Sequence, residues 1–386
     1  MRIASPNSRP EVKLALPASV AHTGHVSPTA SIPVVSSRRR YQVIVGRGLL
    51  PELGGLIRSH APKIGERIAV VTDTTIAPRF AEIARSSLAA AGFDPAVIEV
   101  PAGESSKSLA IVAQLCDQLV THRLDRESAL VAIGGGVIGD LAGFAAAIFH
   151  RGIPLVHVPT TVVAQVDSSL GGKTGVNTDR GKNLLGAIHP PALVVTDVAL
   201  LDGLPEREFR AGFAEIIKHG AIADREMLES LAKFDRARDL TALIRRNVKI
   251  KAAVVAADEF ETTERRAALN FGHTVGHALE TTAGYGQFLH GEAVAVGLAV
   301  AADLSMSKST LPAVDRDLIL AKLVQFQLPV HVPGNIATSA LLEALKRDKK
   351  FRAGAIRFVL LRAIGDAYLA DDVTEDEIAA AIDKRR

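Results

Sequence analysis

Arg266, Asn270, His273 and His277 stand at i, i+4, i+7 and i+11 within the segment from Glu261 to Thr282, a spacing that lines one face of a helix. Their neighbours Leu269, Phe271, Gly272, Val275, Gly276 and Ala278 are apolar or small. A merely solvated face seldom carries two histidines and an amide among glycines. His273 and His277, one turn apart, have metal-ligand spacing, and His290 in Leu289-His290-Gly291-Glu292 offers a further nitrogen. Glu215 places a carboxylate inside an otherwise apolar helical run, with Lys218 one turn on. Taken singly, each histidine is more often a hydrogen-bonded structural residue than a ligand. Taken together, a glutamate and two histidines with an open position are the composition of a catalytic zinc site. A buried Glu or His is costly unless paired or coordinated.

Two glycine-rich stretches supply a second kind of chemistry. Gly134-Gly135-Gly136-Val137-Ile138-Gly139-Asp140 follows an apolar run and opens an apolar helix, and Gly134, Gly136 and Gly139 fit G-x-G-x-x-G. Such a loop lets backbone N–H groups at a helix N-terminus approach a pyrophosphate, or simply packs a helix onto a sheet. Asp140 reads as part of that site or as a cap. The loop follows about the fourth strand rather than the first, and no acid stands ~20 residues downstream to take a ribose. Asp73, closing an earlier strand, is the better ribose candidate. Further on, Val166 to Asn177 contains Asp167, Gly171, Gly172 and Lys173, with Lys182 and Asn183 close behind. Lysines and amides on loops beyond strand ends suit a phosphate or a polyhydroxylated ligand, or else are only a solvated loop. A Walker A reading fails because the first glycine is missing at the required spacing.

The elements that must position these groups read as strands alternating with helices. Short apolar runs from Tyr41 to Val45, Arg67 to Thr72, Ala96 to Val100, Ala129 to Ile133, Pro154 to Val158 and Ala192 to Thr196 predict buried parallel strands. Ala77 to Ala91 and Ser108 to Val120 predict helices between them. From Pro205 the pattern becomes a succession of amphipathic segments (Glu206 to Gly220, Arg225 to Phe234, Leu240 to Ala257, Glu261 to Thr282, Gly291 to Met306), with a late hairpin from Ile356 to Leu369 turning at Gly365-Asp366. The fold class is therefore α/β: a mostly parallel sheet domain over residues 41–204, then a mainly α-helical domain over 205–386. Residues 1–40 predict a disordered basic extension, read as a passive tail in preference to a targeting signal.

Composition narrows the function classes. The 386 residues carry a net charge of +3, but residues 1–40 alone contribute +5 and the remainder −2, so the basic balance gives no argument for nucleic acid. The single cysteine, Cys116, excludes an intrachain disulfide and a Cys-based metal cluster and points to a reducing compartment, the cytoplasm. No apolar run reaches the ~18 residues of a spanning helix, so no membrane role is expected.

Eight strings, in order, carry a family resemblance: Pro101-Ala102-Gly103-Glu104 with Lys107, the loop Gly134 to Asp140, Pro159-Thr160-Thr161, Val166 to Asn177, Gly212 to Lys218, Asn270 to His277, Leu289 to Glu292 and Arg347-Asp348-Lys349-Lys350. Over residues 41–386 the chain resembles the 3-dehydroquinate synthase family of sugar-phosphate cyclases. The resemblance implies an NAD-dependent metalloenzyme using zinc or cobalt, with a Rossmann-like NAD-binding N-terminal domain and a helical metal- and substrate-binding C-terminal domain, usually a homodimer. It makes Glu215, His273 and His290 the metal ligands and gives His277 to proton transfer and phosphate contact, whereas spacing alone favours both helix histidines as ligands. It places NAD against Asp73, Gly103, Glu104, Lys107, Gly136, Val137, Ile138, Gly139, Asp140, Thr160 and Thr161, with Lys173 and Lys182 nearby. It places the substrate against Asp167, Lys173, Lys182, Asn183, Lys218, Lys251, Arg266, Asn270, His277 and one of Lys349 or Lys350, with Arg151 reaching the phosphate across the dimer. The family often has Asn two residues after the ribose acid, where this chain has Thr75.

The implied substrate is 3-deoxy-D-arabino-heptulosonate 7-phosphate. The implied reaction oxidises C5 transiently with NAD, eliminates phosphate, returns the hydride and closes the opened ring by an intramolecular aldol step to 3-dehydroquinate. Related cyclases making a valiolone or an inosose typically alter the second helix histidine and the late lysine pair, both present here as His277 and Lys349-Lys350. A metal-dependent glycerol or alcohol dehydrogenase does not require the cluster of Lys173, Lys182, Asn183 and Arg151. A non-catalytic sensor is expected to lack a metal ligand or the proton-transfer residue, and none is missing.

Overall fold

The computed structural model describes residues 29–35, 39–178, 181–259, 264–284, 286–347, 351–352 and 355–386. The strands are β1 (Ala30–Val35), β2 (Arg40–Gly46), β3 (Arg67–Asp73), β4 (Asp94–Val100), β5 (Ala129–Gly134), β6 (Leu155–Pro159), β7 (Lys173–Thr178), β8 (Gly181–Ile188), β9 (Leu193–Asp197), β10 (Phe351–Arg352), β11 (Ala355–Ala363) and β12 (Asp366–Val373). Seven of them form one sheet in the order β1-β2-β9-β6-β5-β3-β4. β1 pairs antiparallel to β2, and every other pair in that sheet is parallel.

Side-chain alternation explains why these runs are apolar throughout. Ile68 and Val70 of β3 and Val131 and Ile133 of β5 face one core layer, with α1 (Leu53–His60) and α2 (Ala77–Ala90) over it. Ala69, Val71, Leu130 and Ala132 face the opposite layer, covered by α3 (Leu109–Thr121) and α4 (Gly136–Ile148). A strand buried on both faces cannot alternate polar and apolar residues. From β3 the chain steps outward to β4, then returns to place β5 on the other side of β3. The carboxyl ends of β3 and β5 therefore border a topological switch point, where open α/β sheets bind ligands.

The helical half contains α5 (Glu206–Ala211), α6 (Phe213–Ala223), α7 (Arg225–Ser230), α8 (Arg236–Ala257), α9 (Glu264–Ala267), α10 (His273–Ala283), α11 (His290–Lys308), α12 (Ala313–Gln325), α13 (Thr338–Arg347) and α14 (Glu375–Asp383). The expected late hairpin is present as β11 and β12. The halves share a core: Ile32 and Val34 of β1 and Val43 and Val45 of β2 belong to the same apolar cluster as Phe213, Ile216, Leu243, Val248 and Leu298.

Three expectations need correction. Residues 30–35 do not belong to an irregular tail. They form an edge strand with Ile32 and Val34 buried, hidden from sequence because only two apolar residues alternate around Pro33, which an edge strand tolerates. The polar face from Arg266 to His277 does not lie on one helix. α9 passes through a 3-10 turn at Ala268–Asn270 to Gly272 at φ +79°, where a Cβ would sit 2.8 Å from Leu298, and α10 starts afresh at His273. Lys173 and Lys182 are not on a loop, because β7 and β8 pair as an antiparallel ribbon.

Candidate active site

The metal-ligand candidates come from three different helices. Glu215 lies in the first turn of α6, His273 opens α10 and His290 opens α11. Glycines allow these helices to approach. A Cβ on Gly291 would fall 1.8 Å from the Ala211 carbonyl oxygen, one on Gly297 1.9 Å from that of Gly272, and one on Gly276 3.1 Å from that of Ala293. The result is convergence. Glu215 Oε1 lies 3.3 Å from His273 Nε2 and 3.4 Å from His290 Nε2, and one ligand atom from each of the three lies within 4.8 Å of the others.

The second nitrogen of each ring has its own acceptor. His273 Nδ1 faces the Phe271 carbonyl at 3.3 Å, and His290 Nδ1 faces Glu280 Oε2 at 3.5 Å. Both Nε2 atoms are thereby turned toward Glu215, the orientation that metal-ligating histidines take. Neither carboxylate oxygen of fully buried Glu215 has a hydrogen-bond partner among the described residues, although Lys218 forms an ion pair with Oε2. Burial opposes ionisation of Glu215, but Lys218 and His273 outweigh it and hold the carboxyl well below its usual range. Burial, then Lys218, depresses His273 to about 4. Burial pulls His290 down as well, yet Glu215 and Glu280 carry it up to about 10. An anionic carboxylate beside two histidine nitrogens, with neither oxygen hydrogen-bonded among the described residues and Lys218 on Oε2, fits a divalent cation of zinc or cobalt type.

A second charged group adjoins the first. Lys251 Nζ lies 2.5 Å, His219 Nε2 3.7 Å and Lys218 Nζ 3.9 Å from Asp167 Oδ1. Burial disfavours the Asp167 anion, but Lys251 and Lys218 prevail and keep it well below the ordinary value. Arg266 is buried and donates through Nη1 to the Glu259 carbonyl and through Nη2 to that of Gly171 at 3.5 Å. Asn270 closes the 3-10 turn, while His277 is exposed on α10 with its ring centre 5.4 Å from that of His273 and 6.1 Å from that of His290. Lys182 Nζ reaches Glu280 Oε1 at 3.0 Å, and the neighbouring Asn183 amide donates to Asn177 Oδ1.

The nucleotide candidates gather at the carboxyl ends of the strands. Asp73 ends β3, Gly103 and Glu104 follow β4, the glycine loop follows β5, and Thr160 and Thr161 follow β6. A Cβ at Gly134 would lie 2.6 Å from that of Ile138, and one at Gly136 3.2 Å from Ser168 Oγ. The loop thus needs glycine for packing and also leaves backbone bare at the start of α4, which includes Val137, Ile138 and Gly139. Asp140 accepts from Lys107 Nζ at 2.5 Å, and Glu104 accepts from Asn177. Asp73 Oδ1 accepts from the amide and hydroxyl of Thr75, so the residue standing in place of Asn still bonds the acid.

Arg151 is not brought to this cleft. It is exposed beyond the end of α4, near Pro154, whose carbonyl accepts from Leu130 at the start of β5, the opposite end of the sheet from Gly134. Lys349 and Lys350 lie outside the described residues. Sequence reading missed Glu280 and the buried pair His219–Asn247, in which Asn247 Oδ1 faces His219 Nδ1 at 3.1 Å. Glu280 was detectable, since it stands seven residues after His273 and three after His277.

Family models for the 3-dehydroquinate synthase N-terminal and C-terminal regions match residues 97–211 and 212–351, more than half of the chain. The chain belongs to the 3-dehydroquinate synthase family. A 3-dehydroquinate synthase from Symbiobacterium thermophilum is 46% identical over 355 residues, covering 90% of this chain and 98% of that one. Among solved structures, a 2-deoxy-scyllo-inosose synthase complexed with carbaglucose-6-phosphate, NAD+ and Co2+ matches with a TM-score of 0.83 and 26% identity, over 92% of this chain and 100% of that one. A 2-epi-5-epi-valiolone synthase from Streptomyces hygroscopicus with NAD+ and Zn2+ bound gives 0.80 and 29%, over 95% and 98%. These family relations agree with an α/β sheet half joined to a helical half. Among the described residues, no helix is long and apolar enough to cross a membrane.

Proposed function

We propose that this chain is a phosphate-releasing lyase that converts 3-deoxy-D-arabino-heptulosonate 7-phosphate to 3-dehydroquinate, using NAD and one zinc or cobalt ion, as a cytoplasmic homodimer. Residues 41–204 carry the nucleotide, and residues 205–386 the metal and most of the substrate contacts. The observation that carries this reading is the convergence of Glu215, His273 and His290 beside Asp167, Lys218 and Lys251. When bound, NAD supplies reversible oxidation of the C5 carbinol, and the metal supplies Lewis acidity there.

The remaining work falls to the side chains. Glu215, His273 and His290 hold the metal. Asp73 and the bare backbone from Gly136 to Asp140 hold the nucleotide, assisted by Gly103, Glu104, Lys107, Thr160 and Thr161. Lys218 and Lys251, each charge-paired in the cleft, stabilise oxyanions developing on the sugar. Lys173, Lys182, Asn183 and Arg266 orient the substrate, and Arg151 of the partner subunit completes the phosphate site. That assignment accords with the position of Arg151 far from the cleft of its own chain. Asn270 orients the ring, and His277, exposed at the cleft edge, moves a proton near the phosphate.

The test is one assay: purified protein with NAD, zinc and the heptulosonate phosphate. Equal release of phosphate and 3-dehydroquinate, without accumulating NADH, is the expected result. NADH growing in step with substrate consumption marks a dehydrogenase and overturns the reading.

A further inference from the structure

Glu280 is a buried carboxylate with a different partner on each oxygen. Oε1 takes Lys182 Nζ at 3.0 Å, and Oε2 faces His290 Nδ1 at 3.5 Å. Its side chain is 6% exposed, so its charge needs partners. Lys182 belongs to the β7–β8 ribbon and His290 to the start of α11, so one carboxylate joins the sheet half to a metal-ligand candidate.

The two histidine candidates are held differently. The His273 side chain is 9% exposed and packed, with its Nδ1 against the Phe271 carbonyl of its own turn. The His290 side chain is 37% exposed, so packing fixes its ring less and its Nδ1 partner matters more. A carboxylate on the far nitrogen of a ligating imidazole sets the tautomer, orients the ring and raises its basicity.

We propose that Glu280 is a positioning residue that aims His290 at the metal and, through Lys182, ties the β7–β8 ribbon to the metal centre. This rests on the metal site proposed above. Glu280 is not itself a ligand in this account, since both of its oxygens are engaged.

The test is zinc affinity of the full-length chain, measured by competition with a chromophoric chelator, with NAD affinity as the check on folding. Wild type should bind one zinc and H273A should lose it. E280A should bind zinc about 10- to 100-fold more weakly. E280Q, whose amide oxygen still accepts from Nδ1–H, should recover most of that loss. Should E280A fail to fold, E280S, too short to reach His290, takes its place. An E280A affinity within about twofold of wild type overturns the proposal while the triad stands. E280Q losing zinc as completely as H273A makes Glu280 a ligand and also overturns it. If H273A keeps its zinc, the metal site falls, and this role falls with it.

Discussion

Lys251 Nζ lies 2.5 Å from Asp167 Oδ1, the oxygen that His219 and Lys218 approach at 3.7 and 3.9 Å. Lys251 comes from the middle of α8, and Asp167 from the π-helical turn at Ala164–Ser168 that follows β6. One ion pair therefore spans the sheet half and the helical half.

Replacing Lys251 with Met keeps the volume and leaves Asp167 with only the more distant cations. Removing one partner of a buried pair costs far more than the pair contributes, on the order of 3 kcal/mol. Lys251→Met should lower unfolding stability by about that much in denaturant titration, and should also cut turnover. A stability within about 0.5 kcal/mol of wild type would show that Asp167 does not depend on Lys251.

Gly297 sets the spacing of α10 and α11. Because a Cβ there would sit 1.9 Å from the Gly272 carbonyl oxygen, Gly297→Ala must push the two helices apart, and with them His273 and His290. The expected outcome is a stability loss of about 1–3 kcal/mol from overpacking, with weakened zinc binding. Zinc titration alongside thermal unfolding checks both, and unchanged affinity for zinc would refute the link between this crossing and the ligand geometry.

Much of the sheet half was legible because parallel strands buried on both faces must be apolar throughout. Val70, Val131 and Val156 announce themselves. β1 was not legible, since Pro33 interrupts its pattern and its burial depends on α8, distant in sequence. The metal triad could be assembled from residue types and family resemblance, but its geometry could not. A helix continued through Gly272 places Arg266 and His277 on one face, whereas the left-handed residue there redirects the chain. Glu280 looks like an ordinary acid near a helix end until the ribbon lysine and His290 are seen on either side of it.

His157 lies on β6 beneath Gly139, where a Cβ on that glycine would meet its ring at 3.4 Å. Burial, then nearby His189, lowers its pKa from 6.5 to about 4, so it is neutral in the folded chain. The unfolded chain takes up this proton first as pH falls below 6.5. The stabilisation is therefore complete above that value and is lost as pH falls toward 4, at up to about 1.4 kcal/mol per pH unit. Denaturant unfolding at pH 7 and pH 5 should show wild type losing about 2 kcal/mol more than His157→Leu across that interval. Parallel curves for the two proteins would remove His157 as the cause.

The central claim is that side chains from α6, α10 and α11 grip one divalent cation. Metal content after exhaustive dialysis, measured on wild type, Glu215→Ala and His273→Ala with NAD affinity recorded in parallel, tests it most directly. The account predicts one zinc per wild-type chain, substoichiometric zinc in both variants, and NAD binding mostly intact. Stoichiometric zinc in both variants would contradict it.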